Sequence, residues 1–399
     1  MAFTVTKLIG ASQIYTTLAT WEADAPVNFT TAEKSAAGTF SGTFTQGESL
    51  SFSGSGATGK FLDTDGSTYI SYGVTGGNPA ASDTVTGDSS GATCVLSSGT
   101  PTDTGCIWQG KINAATDSFT GSTTLLTLAG STTSATNYYE LTTNTGASFR
   151  DHANAQTNAL RFNTANGCYI SSTGNQYNTP IDAPLDFRMS NLQIQNTVHR
   201  ATINMNASII DNCILEAITK CLDTPGTTTT RNTLMVVRGN NVPVEAGTAS
   251  LFVNCTIVCP DDLTDPASAI VSSAYRGGTF KNCAFFGFTA VKQAGGSPTF
   301  TTCYTNEASP PTGCTTLTYD TNAFQNITDG THDYRLKSGS GLLDVGTTDA
   351  TNAPNDIVGT ARPQGSAYDV GCWELVAVAV GEINIYGYSD GFNSISYVA

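Results

Sequence analysis

The side chains able to do chemistry in this 399-residue chain are few and dispersed. Three histidines, His152, His199 and His332, stand far apart in sequence, so a serine–histidine–aspartate reading has no local support. His152 sits in Arg150-Asp151-His152, a turn following Gly146-Ala147-Ser148-Phe149, where a structural hydrogen-bonding role is expected. The eleven cysteines include no Cys-x-x-Cys pair and no Cys/His spacing of a zinc site, and reduced, buried thiols are the expectation. Asp63-Thr64-Asp65-Gly66-Ser67 is like the start of a calcium loop but lacks its closing glutamate, and is expected to make a turn. No metal or cofactor is expected. That leaves carboxylates. Cleavage of a glycan requires two of them, or one with Arg or Lys, projecting at matched places. The candidates are Asp211, Glu216, Asp182 with Asp186, the Asp261-Asp262-Asp265 group and Asp329 with Asp333. Whether any of them meet depends on the elements that carry them.

Those elements repeat. Ser208-Ile209-Ile210-Asp211-Asn212-Cys213 aligns with Ser250-Leu251-Phe252-Val253-Asn254-Cys255 and with Gly278-Thr279-Phe280-Lys281-Asn282-Cys283. The same column holds Asn191, Asn232, Thr302 before Cys303, and Asn322 before Ala323, with Gly167-Cys168 as a looser earlier member. From Asn191 to Asn322 the intervals are 21, 20, 22, 28, 20 and 20 residues. A propeller blade needs about 40 residues, and helical repeats need helical patterns that are absent here. Short stacked strands fit: each coil advances about 4.8 Å, so seven coils predict a rod of at least roughly 35 Å. Asn191, Asn212, Asn232, Asn254, Asn282 and Asn322 form the expected ladder, because Asn tolerates a left-handed bend and its amide can bond to the next coil. In the next column Cys213, Cys255, Cys283 and Cys303 are expected to point inward as small hydrophobes.

The alignment tests the carboxylates. Asp211 falls opposite Ser190, Arg231, Val253 and Lys281, while Glu216 falls opposite Gln195, Val236, Val258 and Phe286. Neither carboxylate meets another, and Asp211 with Arg231 reads as a surface ion pair.

The ladder resembles the right-handed parallel β-helix proteins of the pectate-lyase-like superfamily. The stretch from Phe324 through Asp333-Tyr334-Arg335-Leu336, Leu343-Asp344-Val345-Gly346 and Asp356-Ile357-Val358-Gly359 to Arg362-Pro363-Gln364-Gly365 and Asp369-Val370-Gly371-Cys372-Trp373-Glu374 is similar to their closing signature. The resemblance implies that this stretch folds over the last coils. Residues 105–374 are assigned to the β-helix. Between 40 and 104 a different repeat appears. Ser55-Gly56-Ala57-Thr58 recurs as Ser90-Gly91-Ala92-Thr93, with Gly-rich turns and alternating apolar residues on both sides, which predicts a small antiparallel β module of two related hairpins. Such modules resemble small β domains of phage virion proteins. Residues 1–39 are expected to cap the first coil, with Leu18 and Trp21 on one helical face. The fold class expected is thus all-β: a right-handed parallel β-helix solenoid with a small antiparallel module near the N-terminus.

A net charge of −15 with no basic cluster excludes phosphate-driven nucleic-acid binding. The longest apolar run, Leu375 to Val380, is far short of the roughly 18–20 residues of a membrane helix, and Met1 to Lys7 do not read as a secretory signal. After that run, Ile383, Ile385, Tyr386 and Tyr388 alternate along a strand. Residues 375–399 are expected to form a strand or hairpin making an intermolecular contact. The resemblance implies a non-catalytic phage virion protein at the particle surface (capsid decoration protein, head fibre, tail fibre or adhesin), assembled in the host cytoplasm. Its expected partners are other capsid or tail proteins, further copies of itself as a trimer, and a host surface glycan. The alternative is a tailspike-type polysaccharide lyase or hydrolase on the same fold.

Overall fold

The computed structural model describes residues 2–376, apart from 176, 204, 240–241, 261–268, 272–276 and 293–296. The chain is all-β, with parallel sheets and an antiparallel, closed six-stranded module. Successive segments add one strand to each of two nine-stranded parallel sheets in turn. The first sheet opens with Phe3–Ile9, Cys106–Ile112 and Tyr139–Thr143 and continues through Ser208–Asp211 to Thr299–Thr301. The second runs from Ser118–Gly121 through Gln193–Asn196, Ile214–Ala217 and Leu234–Val237 to Cys314–Thr316. Three-stranded parallel sheets, such as Leu222–Thr224 with Val244–Ala246 and Ile270–Val271, take strands that follow those of the second sheet in sequence.

The bend between the first and second sheets is where asparagine is needed. Asn191, Asn212, Asn232, Asn254 and Asn282 have φ between 45° and 63°, and Thr302 has φ 53°. That left-handed conformation costs most residues about 1–2 kcal/mol, which Asn lessens by local hydrogen bonding. The amide-to-amide bond expected along the ladder forms from Asn282 Nδ2 to Asn254 Oδ1, at 3.2 Å. Other amides tie down the C-terminal segment: Asn254 donates to the carbonyls of Asp369 and Gly371, and Asn282 to that of Thr347. Asn322 departs from the ladder. It lies exposed in a turn held by Asp320, and the step after Thr302-Cys303 is taken by Gly313-Cys314, eleven residues on. Gly313 is required there: its φ is 88°, and a Cβ would lie 2.0 Å from the Phe300 carbonyl.

Cys213, Cys255, Cys283 and Cys303 are fully buried, and each thiol donates to the carbonyl two residues earlier, at 3.3–3.5 Å. Burial pushes the Cys213 thiol up to about 12. Beside this column Phe252, Phe280 and Phe300 stack, with ring centroids 4.5 and 5.6 Å apart. Above the first strands sits the helix Leu18–Ala23, closed by a Thr17/Thr20 capping box, with Leu18 and Trp21 buried. Trp108 Nε1 donates to the Trp21 carbonyl at 3.1 Å.

The antiparallel strands run from Ala32–Ser41 to Asp103–Thr104, so the module departs from the first parallel sheet after Phe3–Ile9 and returns to it at Cys106–Ile112. Its two hairpins carry the repeat, with Gly56 and Gly91 both at φ 69°. The relation between them is reciprocal. Asp83 accepts from the amides of Gly54 (2.8 Å), Ser55 (2.8 Å) and Ala80 (2.8 Å) and from Ser55 Oγ. Thirty-five positions earlier, Glu48 accepts from the amides of Ser89 (3.1 Å), Ser90 (2.9 Å) and Thr45 (2.6 Å) and from both serine hydroxyls. Each hairpin thus lends a carboxylate to the turn of the other.

The chain leaves the parallel sheets after Cys314–Thr316 and lies on the outer face of the second one. Phe324, Tyr334, Leu342, Ile357, Val370 and Trp373 pack there against Leu234, Val236, Val258 and Phe286. A parallel strand such as Leu234–Val237 is therefore buried on both faces and reads as a continuous apolar run. The C-terminal segment closes on itself through Arg362. Its side chain is fully buried, pairs with Glu374 at 2.9 Å and donates to the carbonyls of Asp369 and Gly371.

Candidate functional site

The strand register brings Gln195 beside Glu216 and Glu216 beside Val236, and Asp211 between Ser190 and Arg231, as the ladder predicts. Asp211 and Arg231 meet at 3.5 Å. Burial raises the Asp211 carboxyl from its ordinary range, opposed by Arg231 and Arg150. Within the ladder, neither Asp211 nor Glu216 is paired with a carboxylate.

A polar cluster forms instead between the ladder and the C-terminal segment. Arg238 follows the strand Leu234–Val237 and is fixed by its amide, which donates to the Ala217 carbonyl at 2.8 Å. Its guanidinium donates through Nε (2.7 Å) and Nη2 (2.6 Å) to Asp329, while Nη1 lies 3.5 Å from Glu216 Oε1. Gln195 Nε2 donates to the same Glu216 oxygen at 3.0 Å. The other one, Oε2, faces His332 Nε2 at 3.5 Å, and His332 Nδ1 is 4.0 Å from Asp329 Oδ1. Asp329 and His332 belong to the turn joining Phe324–Asn326 to Asp333–Leu336. Burial raises the Asp329 carboxyl, but its hydrogen bonds and ion pair with Arg238 outweigh this and leave it below the usual range.

Facing this cluster is the segment 160–164. The Leu160 amide donates to Asp333 at 2.9 Å, Arg161 Nη1 to the Gly330 carbonyl at 2.6 Å, and the Asn163 amide to Gln193 Oε1 at 2.9 Å. Together these walls enclose a cleft of about 310 Å³. His332 lines it at 2% exposure, and neither of its ring nitrogens is hydrogen-bonded to a protein group. The sequence signals Asp329 only as a loop carboxylate and leaves His332 unplaced. Spacing from Arg238 to Asp329 offers no pattern that would join them.

The remaining candidates are dispersed. His152 Nδ1 accepts from the Asn154 amide inside its own turn, and His199 Nδ1 pairs with Thr219. Asp65 caps its own turn by accepting from the amides of Ser67, Thr68 and Tyr69, and Asp186 binds Thr133. Asp261, Asp262 and Asp265, and the interface candidates Ile383, Ile385, Tyr386 and Tyr388, lie outside the described residues. No family model, no curated protein and no solved structure matches the chain.

Proposed function

We propose that the parallel sheets are the walls of a right-handed parallel β-helix, and that the protein is a non-catalytic structural protein on the surface of a phage virion. The observation that carries the rod is the unbroken stacking: nine parallel strands in each of the two large sheets, a left-handed residue at each of the six bends from Asn191 to Thr302, and inner columns of cysteine and phenylalanine. Strand stacking at about 4.8 Å per step makes such a body long and stiff, as a fibre or decoration protein requires. The helix carrying Trp21 covers the first coil, and the antiparallel module leaves the rod at that same end.

The non-catalytic reading is supported by the state of the carboxylates. Asp329 is held ionised by a two-point contact with Arg238, which also approaches Glu216, so neither is placed as a free general acid. The virion setting is supported by the resemblance of the Ser-Gly-Ala-Thr module to small β domains of phage virion proteins and of the C-terminal stretch to the closing signature of pectate-lyase-like β-helices, together with the acidic, Thr/Ser-rich composition. Capsid or tail proteins, and further copies of the chain in a trimer, are the proposed partners. Gold-labelled antibody against the chain, applied to intact particles from a genome that encodes it, tests this reading. Label on the particle exterior is the expected result; protein found only in the host lysate, with bare particles, would overturn it.

A further inference from the structure

The cleft between the second parallel sheet and the C-terminal turn has the make-up of a ligand site. Its walls are pinned by hydrogen bonds to each other, so it is preformed. Two buried polar side chains, Glu216 and His332, line it, and neither ring nitrogen of His332 is hydrogen-bonded to a protein group. A buried polar group in that state is destabilising until something supplies a hydrogen bond, so a ligand that does so is favoured.

We propose that this cleft binds one neutral, hydroxyl-rich ring of the size of a single pyranose. Charge decides against ions. Arg238 is balanced by Asp329 and by Glu216, which lines the cleft, so an anion would compete with a fixed carboxylate and a cation would meet the guanidinium groups of Arg161 and Arg238. Hydrogen bonding favours hydroxyls, because Glu216 Oε2 and His332 Nε2, 3.5 Å apart, offer an acceptor beside a group that donates or accepts according to its tautomer. Neighbouring hydroxyls on one ring satisfy both. Phe162 supplies apolar surface for the C–H face of the ring, and about 310 Å³ holds one residue rather than a chain segment. The inference does not depend on where the rod is mounted, so sugar binding and particle labelling can fail separately.

The test is ligand-detected saturation-transfer NMR on the full chain with methyl glucoside, methyl galactoside and N-acetylglucosamine, and with glucuronate and inorganic phosphate as the ionic arm. At least one neutral sugar is expected to bind saturably, with a dissociation constant of about 1 mM, the range of small ligands with few contacts. Phe162→Leu and Glu216→Gln should each weaken it at least tenfold, while Gln46→Ala in the separate cleft near Asp24 leaves it unchanged. If Glu216→Gln fails to fold, Phe162→Leu alone decides. Binding of only glucuronate or phosphate would overturn the neutral class. Neutral binding indifferent to Phe162→Leu, or no saturable signal, would overturn the site.

Discussion

The reciprocal clamp in the antiparallel module makes a quantitative prediction. Replacing Asp83 by Asn keeps its shape. An amide oxygen can still accept from Gly54 and Ser55, but the NH2 group then faces the Ala80 amide, which donated to the lost oxygen at 2.8 Å. The Ala80 N–H, on an exposed residue, loses its acceptor at about 1 kcal/mol, and the bonds that remain lose their charge assistance. The sum is about 2–3 kcal/mol, which corresponds to roughly 30- to 150-fold faster local exchange. Hydrogen–deuterium exchange of the full chain, read on peptides covering residues 53–58, measures it. Glu48→Gln should produce the same effect in residues 89–92, where Glu48 holds two amides and two hydroxyls. Asp65→Asn, in its own exposed turn, serves as the control and should leave both segments unchanged. Acid provides a second reading. Burial raises both clamp carboxyls, but their donors, Ser90, Thr45 and Ser89 for Glu48 and Ser55, Ala80 and Gly54 for Asp83, bring each below its ordinary value. A folded-state value below the unfolded one means that the stabilisation is full above about pH 4 and is lost as pH falls through the lower folded value. Exchange that rises less than about threefold in both variants would refute the clamp.

Three further outcomes follow from the same geometry. Arg362→Met strands Glu374 in the interior and should cost about 3–5 kcal/mol in thermal unfolding, which the Arg362→Met/Glu374→Leu double variant recovers only in part because the Gln364 and Asp369 amides then lose their acceptor. Asp369, raised chiefly by burial to about 6, keeps its proton in the folded state over a range where the unfolded chain has released it; its contribution is therefore full below about pH 4 and lost as pH rises to about 6, a slope that should flatten in Asp369→Asn when Tm is followed against pH. A thiol reagent applied to the native protein should label Cys314 first, since the other ten cysteines are buried, and rapid native labelling of Cys213, Cys255 or Cys283 would contradict the inward column.

The ladder was legible because stacking imposes the same demand at each step. Asn212, Asn254 and Asn282 occupy equivalent bends, so the alignment of their flanks also yielded the strand register, including Asp211 against Arg231 and Glu216 against Gln195. It failed where another residue met the same demand. Gly313 reaches the left-handed region without Asn, and an interval of eleven residues hid the step that a twenty-residue spacing wrongly assigned to Asn322. The Ser-Gly-Ala-Thr repeat announced two hairpins, but closure into a ring depends on Ala32–Ser41 pairing with both Tyr69–Gly76 and Thr93–Leu96, which no local pattern records. The cleft was the least legible part. The ladder relates a carboxylate only to the residues of its own column, whereas the partners of Glu216 arrive from a bend after the strand, at Arg238, and from a turn more than ninety residues later, at His332.

The position of the cleft follows from a gradient along the outer face of the second sheet. Proceeding up one column of the register, the outward residues are Gln195, Glu216, Val236, Val258 and Phe286. The apolar upper half must be covered, and the hairpin with Phe324 and Tyr334 covers it, burying Val236, Val258 and Phe286 completely. The polar lower half gains nothing from an apolar cover. Glu216 stands at the boundary, buried by the edge of the cover, and a buried carboxyl group is tolerated only where it is paired and hydrogen-bonded. Gln195 from below and Arg238 from above meet that need, and Arg238 in turn calls for Asp329 from the covering turn. His332 arrives with the same turn, three residues after Asp329, and faces Glu216 at 3.5 Å with neither ring nitrogen hydrogen-bonded. The cover therefore ends in polar groups set around an opening, and its unmet hydrogen-bonding capacity is concentrated on one imidazole.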